Sequence, residues 1–412
     1  MVYDSACPAA GLTTEPFDLT EGLFGDRHGS YDELRGRGPV HLVRFPDLST
    51  GWLITDYEVA KAAFLDPAIS KVIGSPGARA AVTANGGGQH LPNGMFKNML
   101  VFYDPPEHTR LRTLVNRAFN GRAIRGLAPR ITEVADELLA GLAADDNGVV
   151  DLLESYATPL PMTVICELLG VPAEDRDNFR AWSAIVVASE YPNDARMAAV
   201  QEFVAYIDQL IRVKTNSPGS DLLSELIAAS EDDDRLSHRE LISMVFVLLV
   251  AGFETAVNLI GNSVAQLLGD ESSRLLLRSD PGRIPDFLEE MLRYEAPATE
   301  ATFRYTTAPV TLGGIEIPAE QLIIISMAAA GRDPQRFSDP HRFDIDRPDN
   351  QHIAFGHGIH RCVGAPLARM EGDIALTRLL RKFPDLKLAP GFEPEWHKSL
   401  IVRGLTSIPV LI

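Results

Sequence analysis

The chain has 412 residues, of which 45% are hydrophobic and 23% are charged, so it can bury a large core. This composition excludes a disordered chain, a collagen and a small disulfide-stapled protein. The formal net charge of −18 at pH 7 argues against nucleic-acid or anionic-membrane binding as the main role.

The N-terminal third combines short strands, a helix and one long loop. Residues 1–17 lack the basic and apolar parts of a signal peptide, which favours a cytoplasmic location. Residues 40–54 alternate around a Pro/Gly-containing turn and predict a hairpin, and a helix should follow over residues 57–65. Residues 74–98 are rich in Gly, Ala, Ser and Asn, and such a long loop is usually functional or disordered. We therefore predict a substrate loop over residues 74–103.

The middle of the chain shows helical periodicity almost throughout, including residues 122–142. Ser237 and Glu240 have capping-box spacing before an apolar run, which predicts a long core helix over residues 237–268. The run itself, residues 241–253, is shorter than the ~18 residues that span a bilayer. We interpret it as buried inside the protein.

The C-terminal part predicts a helix ending at Tyr294, short strands over residues 302–327, and a loop and helix over residues 355–383. No internal repeat and no linker divides the chain. We therefore expect residues 1–412 to form one mainly α domain with small β elements.

Cys362 lies after a glycine-rich loop and just before the last helix. A helix N-terminus and the adjacent Arg361 favour the thiolate, which can ligate iron or attack electrophiles. No second cysteine or closely spaced histidine pair accompanies Cys362, so a zinc site is disfavoured. The three cysteines of the chain are too few and too scattered for a disulfide framework.

The segment resembles the haem-ligand signature of the cytochrome P450 family, Phe-Gly-x-Gly-x-His/Arg-x-Cys-x-Gly. The resemblance implies a single large mainly α domain, a triangular helical prism with small β-sheets. It also implies haem b with Cys362 as the iron ligand. The cofactor-binding residues of this loop would be Phe355, Gly356, His360, Cys362 and Gly364.

A second family signature, Ala251-Gly252-Phe253-Glu254-Thr255, lies in the predicted core helix. The resemblance makes these residues catalytic: Gly252 opens a groove for O₂, and Glu254 and Thr255 hold a proton relay beside Ala251. Outside the family, a threonine in a helix is usually a surface or back-bonding residue. Two adjacent polar groups in an apolar helix nevertheless need a reason, because their burial is costly.

Two further sets of residues match the family. Glu290 and Arg293, together with Arg342 in a later Phe-x-x-Pro-x-Arg-Phe stretch, would form a buried ion triad of structural role. His108, Arg112, Arg304 and His360 would bind the haem carboxylates, which need charge-assisted donors. One departure is Gly331, where many members have asparagine, and we expect it to loosen the local turn.

The resemblance is greatest to actinobacterial secondary-metabolite hydroxylases. It implies an O₂-dependent monooxygenase that hydroxylates or epoxidises a mid-sized, largely apolar compound such as a polyketide or macrolide, in antibiotic biosynthesis. Electrons should come from a ferredoxin and its reductase, because the chain has no flavin or nicotinamide signature. We expect a monomer that binds neither nucleic acid nor membrane. The candidate substrate contacts are Leu100, Val101, Ala251, Ala298, Thr299, Leu400 and Ile401.

Six arginines and no acid occupy residues 109–130, and their exposed members are a candidate docking surface for an acidic ferredoxin. Three other functions stay open. A haem-thiolate enzyme can catalyse oxidative C–C or C–O coupling, a peroxide-driven enzyme needs no electron donor, and a haem-binding sensor or carrier catalyses nothing. The Glu254-Thr255 pair favours oxygen insertion.

Overall fold

The computed structural model describes residues 15–46, 49–73, 75, 78–79, 98–142, 148–187, 193–229 and 236–412. In these ranges the α-helices are α1 (Arg27–Arg35), α2 (Tyr57–Leu65), α3 (Glu107–Ala118), α4 (Gly121–Gly126), α5 (Ala128–Ala140), α6 (Pro159–Leu168), α7 (Arg176–Val187), α8 (Asn193–Asn216), α9 (Leu222–Ala229), α10 (His238–Gly269), α11 (Glu271–Ser279), α12 (Ile284–Tyr294), α13 (Met327–Gly331) and α14 (Ala365–Lys382). Most of the predicted substrate loop, namely residues 74, 76–77 and 80–97, lies outside the described residues.

The strands are short and gather into three sheets. They are β1 (Phe17–Asp18), β2 (Val40–Arg44), β3 (Thr50–Ile54), β4 (Ile69–Ser70), β5 (Val149–Asp151), β6 (Arg304–Thr306), β7 (Val310–Leu312), β8 (Ile315–Ile317), β9 (Leu322–Ile325), β10 (Lys387–Leu388) and β11 (Pro409–Leu411). The largest sheet has the order β1-β2-β3-β9-β6-β4. Strands β2 and β3 pair antiparallel, with Val40 opposite Ile54, which confirms the predicted hairpin.

The core helix α10 begins where the sequence predicts. Ser237 and Glu240 form the capping box: the Ser237 side chain accepts the Glu240 N–H at 3.3 Å, and the Glu240 carboxylate accepts the Ser237 N–H at 2.8 Å. The helix is long and apolar enough to cross a membrane, but 67% of its most apolar window is buried inside the fold. It packs against α6, α8, α12 and α14 and forms the centre of the largest hydrophobic cluster.

The single helix predicted over residues 122–142 is instead two helices, α4 and α5. The Asn120 side chain caps α4, which ends at Gly126, and a proline lies in the first turn of α5. Proline lacks the N–H that continues a helix from the preceding turn, so it starts a new one. The break turns α4 so that it packs against α14.

Candidate functional site

The loop that carries Cys362 is shaped by two glycines and one backbone hydrogen bond. Gly356 and Gly358 have φ values of +72° and +74°, in the left-handed region that residues with a Cβ rarely adopt. The Cys362 N–H donates to the Phe355 carbonyl oxygen at 2.9 Å, which closes the loop. Helix α14 then begins at Ala365, and the Cys362 side chain opens onto a large cavity.

The surroundings of the sulfur act on its proton in opposite directions. Burial raises the pKa of the Cys362 thiol, and the backbone N–H groups of Gly364 and Ala365 and the Arg112 guanidinium offset this rise only in part. N–H groups and a cation that face a sulfur stabilise its anionic form. The loop can therefore hold a thiolate as an iron ligand facing the cavity.

A charged group behind the loop supports Phe355, and the sequence analysis did not find it. The Arg369 guanidinium lies 4.6 Å from the centre of the Phe355 ring and donates to Glu289 at 2.8 Å. The buried His352 also lies 3.2 Å from Glu289. Burial alone would raise the pKa of Glu289, but Arg369 and His352 outweigh it and lower the pKa to about 2. Arg369, held in place by Glu289, thus covers one face of the aromatic ring.

The ion triad is present, but its third member differs from the prediction. Glu290 and Arg293 are completely buried and lie 2.7 Å apart. The third cation is Arg347, whose Nε lies 3.2 Å from Glu290 and whose side chain is 5% exposed. The prediction of Arg342 as the third member is wrong, because the Arg342 side chain is 66% exposed and pairs with the neighbouring Asp344. Arg342 contributes only its carbonyl oxygen, which accepts from Arg293 at 3.1 Å.

Gly331 does not loosen the turn it occupies. Arg293 Nη1 donates to the Gly331 carbonyl oxygen at 2.8 Å. A Cβ added at Gly331 would lie 2.4 Å from the Arg293 carbonyl oxygen, far inside van der Waals contact. The glycine therefore permits the close approach of α13 to the end of α12.

The cavity in front of Cys362 has a volume of about 890 Å³. One end of it carries a cation cluster, which consists of Lys71, His108, Arg112, Arg304 and His360. Outside the cation cluster, the cavity wall is largely apolar. It is formed by α10, α12, α14 and the segments around residues 100, 300 and 400. Lys71 was missed by the sequence analysis, although a lysine between Ile69-Ser70 and Val72-Ile73 is a detectable signal.

Several members of the cation cluster have no acceptor. In the described part of the chain, His108 Nε2, His360 Nε2 and Arg304 Nε are buried without a hydrogen-bond partner. The two imidazole ring centres lie only 4.2 Å apart. Burial, followed by Arg112, lowers the pKa of His108 to about 4, and burial lowers the pKa of Arg304 to about 10. Burial, followed by Lys71 and His108, also lowers the pKa of His360.

These unpartnered donors fit the haem that the resemblance implies. Buried polar groups in native proteins nearly always have partners, so several orphaned nitrogens at one cavity end indicate an absent acceptor. Two carboxylates would satisfy them and would offset the repulsion among the cations. The cluster and the Cys362 sulfur line one cavity large enough for such a group.

The core-helix residues line the same cavity. Ala251, Gly252, Glu254 and Thr255 all form part of its wall. The Thr255 hydroxyl donates to the Ala251 carbonyl oxygen at 2.9 Å, the back-bonding geometry typical of a helical threonine. Burial raises the pKa of the Glu254 carboxyl, so it holds its proton closer to neutral pH than an exposed glutamate does. An acid and a hydroxyl are thus adjacent on the cavity wall.

Six of the seven predicted substrate contacts line the cavity: Leu100, Val101, Ala251, Ala298, Leu400 and Ile401. Thr299 does not line it, and its side chain is fully buried. Its hydroxyl contacts Arg27 and Glu300 and lies 3.1 Å from the Ile401 carbonyl oxygen. Glu300, one residue later, lines the cavity instead, and no sequence signal distinguished it.

The arginines of residues 109–130 separate into three groups. Arg110 and Arg130 are occupied by ion pairs with Glu240 and Glu167. Arg112 faces the cavity, so it belongs to the site. The exposed members are Arg117, Arg122 and Arg125, of which the last two lie on α4, the helix that packs against α14.

Comparisons with known proteins agree with this geometry. The sequence model of the family "Cytochrome P450" matches residues 284–403. Cytochrome P450 107B1 of Saccharopolyspora erythraea is 46% identical over 93% of this chain and 95% of its own length. The 6-deoxyerythronolide B hydroxylase of the same organism is 41% identical over 97% of this chain and 99% of its own. The tirandamycin C-bound P450 monooxygenase TamI superposes with a TM-score of 0.88 at 40% identity, covering 96% of this chain and all of the other.

Proposed function

The chain belongs to the cytochrome P450 family, and on that premise we propose that it inserts one oxygen atom into a polyketide or a similar secondary metabolite. It is a cytochrome P450 monooxygenase whose cofactor is haem b. The observation that carries the proposal is one cavity that joins the Cys362 sulfur, the unpartnered cation cluster and the Glu254-Thr255 pair. Relatives named as a hydroxylase and as a tirandamycin-bound monooxygenase support this substrate class.

The bound haem supplies the redox chemistry, in which O₂, two electrons and two protons give one oxygen atom for the substrate and one water. Cys362 would hold the iron, and the backbone N–H groups of Gly364 and Ala365 would stabilise the anionic form of its sulfur against the burial that raises its pKa. Phe355, fixed by Arg369, would exclude water from one side of the sulfur. His108, Arg112, Arg304 and His360 would bind the carboxylates and set the orientation of the ring.

The protons that the reaction consumes must be passed from solvent to the cavity by side chains of this chain. The Glu254 carboxyl, with its raised pKa, can give up a proton and recover it from solvent. The Thr255 hydroxyl, already donating to the Ala251 carbonyl, can pass that proton on when its hydrogen bond switches. Oxygen insertion and O₂-driven oxidative coupling consume the same two external protons per turnover. The pair therefore supports O₂ activation over a peroxide-driven reaction or a non-catalytic role, and the fate of the oxygen atom distinguishes insertion from coupling.

We propose that electrons arrive from a ferredoxin and its reductase, at the surface formed by Arg117, Arg122 and Arg125. These side chains are exposed on a chain of strongly negative net charge, so they form a local positive area. We further propose that the enzyme works in the cytoplasm as a monomer.

An isotope experiment tests the function. Polyketides, macrolactones, terpenoids and peptides are first screened for a spin-state shift of the ferric haem. The best ligand is then incubated with NADPH, a surrogate ferredoxin and its reductase under ¹⁸O₂. We expect one labelled oxygen atom in the product, and a loss of coupling between NADPH oxidation and product in Thr255→Ala, with Thr255→Ser close to wild type.

Other outcomes identify the alternatives. A product that has lost two hydrogens and gained no label would indicate oxidative coupling. Turnover with hydrogen peroxide alone, and none with NADPH, would indicate a peroxygenase. An absence of any ligand-dependent NADPH oxidation across the screen would favour a sensor or a carrier.

A further inference from the structure

Arg196 lies at the start of the buried face of α8. The residues that follow it at helical spacing are all buried, namely Ala199, Val200, Phe203, Ile207 and Leu210. Arg196 precedes Phe203 by seven residues, which is two turns, so both lie on the same face of the helix. A charged residue at the start of an apolar stripe therefore points toward the interior rather than toward solvent.

That face is directed at the core helix and the cavity. Phe203 packs against Phe246 of α10, with ring centres 5.1 Å apart. Arg196 lines the cavity together with Met244 and Val247 of α10 and Val186 of α7. All other described cations on the cavity wall belong to the cation cluster, so Arg196 is a separate positive charge in an apolar part of the wall.

Within the described residues the Arg196 guanidinium has no hydrogen bond and no ion pair. Arginines on the same two helices behave differently: Arg180 pairs with Glu154, and Arg212 pairs with Asp208 at 2.7 Å. The nearby Asp194 instead accepts the N–H of Ala195. A half-buried guanidinium offers a planar set of donors that a carboxylate matches in two parallel hydrogen bonds.

We propose that Arg196 binds a carboxylate of the substrate, so that the substrate is an apolar body with one acidic end. This inference rests on the proposed function and makes its substrate class more specific. It also refines the expectation of a largely apolar ligand, because the apolar wall contains one unpaired cation in the described residues.

The test compares two probes that differ only in the end group, lauric acid and lauryl alcohol. Binding to the haem-loaded wild-type enzyme and to Arg196→Gln is measured by the spin-state shift and by calorimetry. Charge-assisted hydrogen bonds are worth about 1.5–3 kcal/mol, so the variant should bind lauric acid roughly 10- to 100-fold more weakly. Its affinity for the alcohol should not change. Arg212→Gln, on the same helix but 74% exposed, is the matched control and should bind both probes like wild type.

Three results would overturn the inference. They are equal affinity of the wild type for acid and alcohol, an equal loss of both in Arg196→Gln, and binding of neither probe by the wild type. The reduced carbonyl spectrum of each protein separates this failure from failure of the proposed function. A thiolate-type spectrum without preference for the acid removes only the role of Arg196, whereas its absence in the wild type removes the proposed function.

Discussion

Two buried groups of charges in this protein are built in opposite ways. In the ion triad, the Glu290 carboxylate accepts from Arg293 and Arg347, and the remaining Arg293 nitrogen donates to carbonyl oxygens. In the cation cluster, buried nitrogens of His108, His360 and Arg304 have no acceptor in the described part of the chain. Both groups lose hydration on folding, but only the first recovers the loss within the protein.

The difference separates framework from binding site. We call the ion triad a closed group, because its buried charges are paired inside the protein. It stabilises the fold and has no unpaired donor or acceptor left for a ligand. We call the cation cluster an open group, because its buried nitrogens are unpaired and this costs free energy until an acceptor binds. Its stabilising contribution therefore appears only when the ligand binds. The same kinds of side chain therefore predict different results when they are mutated.

The largest expected effect comes from breaking the closed group. Arg347→Met leaves the Glu290 carboxylate with one cation fewer, and Glu290→Gln leaves two buried arginines without their anion. Removing one partner of a buried ion pair costs about 3–5 kcal/mol, so both variants should lose that much free energy of unfolding. Chemical denaturation followed by far-UV circular dichroism measures the loss.

Arg342→Met is the matched control for Arg347→Met, because Arg342 occupies the neighbouring exposed position. It should change the free energy of unfolding by less than about 0.5 kcal/mol. Equal losses for the two variants would show that Arg347 is not the third member of the triad.

A smaller effect of opposite character is expected in the open group. His108→Leu removes an imidazole that has an unpartnered nitrogen, so the haem-free protein should be as stable as wild type or more stable. The haem should leave roughly 10- to 100-fold faster, since one charge-assisted donor is lost. Transfer of haem to apomyoglobin measures its release rate.

His352→Leu provides the comparison, because His352 is a buried histidine of the closed kind, 3.2 Å from Glu289. It should destabilise the haem-free protein itself. If both histidine variants destabilised the haem-free protein to the same degree, the distinction between open and closed groups would fail.

The smallest effect concerns Glu371, an acid on the cavity wall with no ion pair in the described residues. Burial raises its pKa from 4.5 to about 8, so the folded protein keeps a proton that the unfolded chain releases. The free energy of unfolding should therefore fall as pH rises between these two values, by up to ~1.4 kcal/mol per pH unit. In Glu371→Gln that part of the slope should vanish.

Denaturation of the haem-free wild type and of Glu371→Gln near pH 6 and near pH 7 measures the two slopes. Asp373→Asn, on the same helix but less buried, is a suitable control. Parallel pH dependence of wild type and Glu371→Gln would show that Glu371 is not protonated in the fold.

Local features of the fold were predictable from the sequence, and the direction of individual side chains was not. The capping box at Ser237 and the hairpin of β2 and β3 depend on neighbours in the chain, and both predictions are confirmed. Thr299 and Glu300 are adjacent buried residues, and both side chains contact Arg27. Their residue types do not show which of the two lines the cavity, so the sequence assigned the wrong one.

The third member of the ion triad was missed for a similar reason. Arg342 and Arg347 lie in one loop, and from the sequence alone either arginine could pair with Glu290. In the structure Arg342 pairs with Asp344 at the surface, and Arg347 pairs with the buried Glu290 carboxylate. Lys71 and Arg196 were overlooked because each is one cation in an apolar segment, and only the folded chain shows which cavity they face.

The contact between Gly331 and the Arg293 carbonyl matters when coordinates are transferred between relatives. An asparagine placed here in this chain would force a shift of α13, of α12 or of the local backbone. A homology model built on a template with asparagine would therefore need its hydrogen bond from Arg293 to residue 331 checked. The distance between α12 and α13 is therefore a sensitive place to judge any template chosen for this protein.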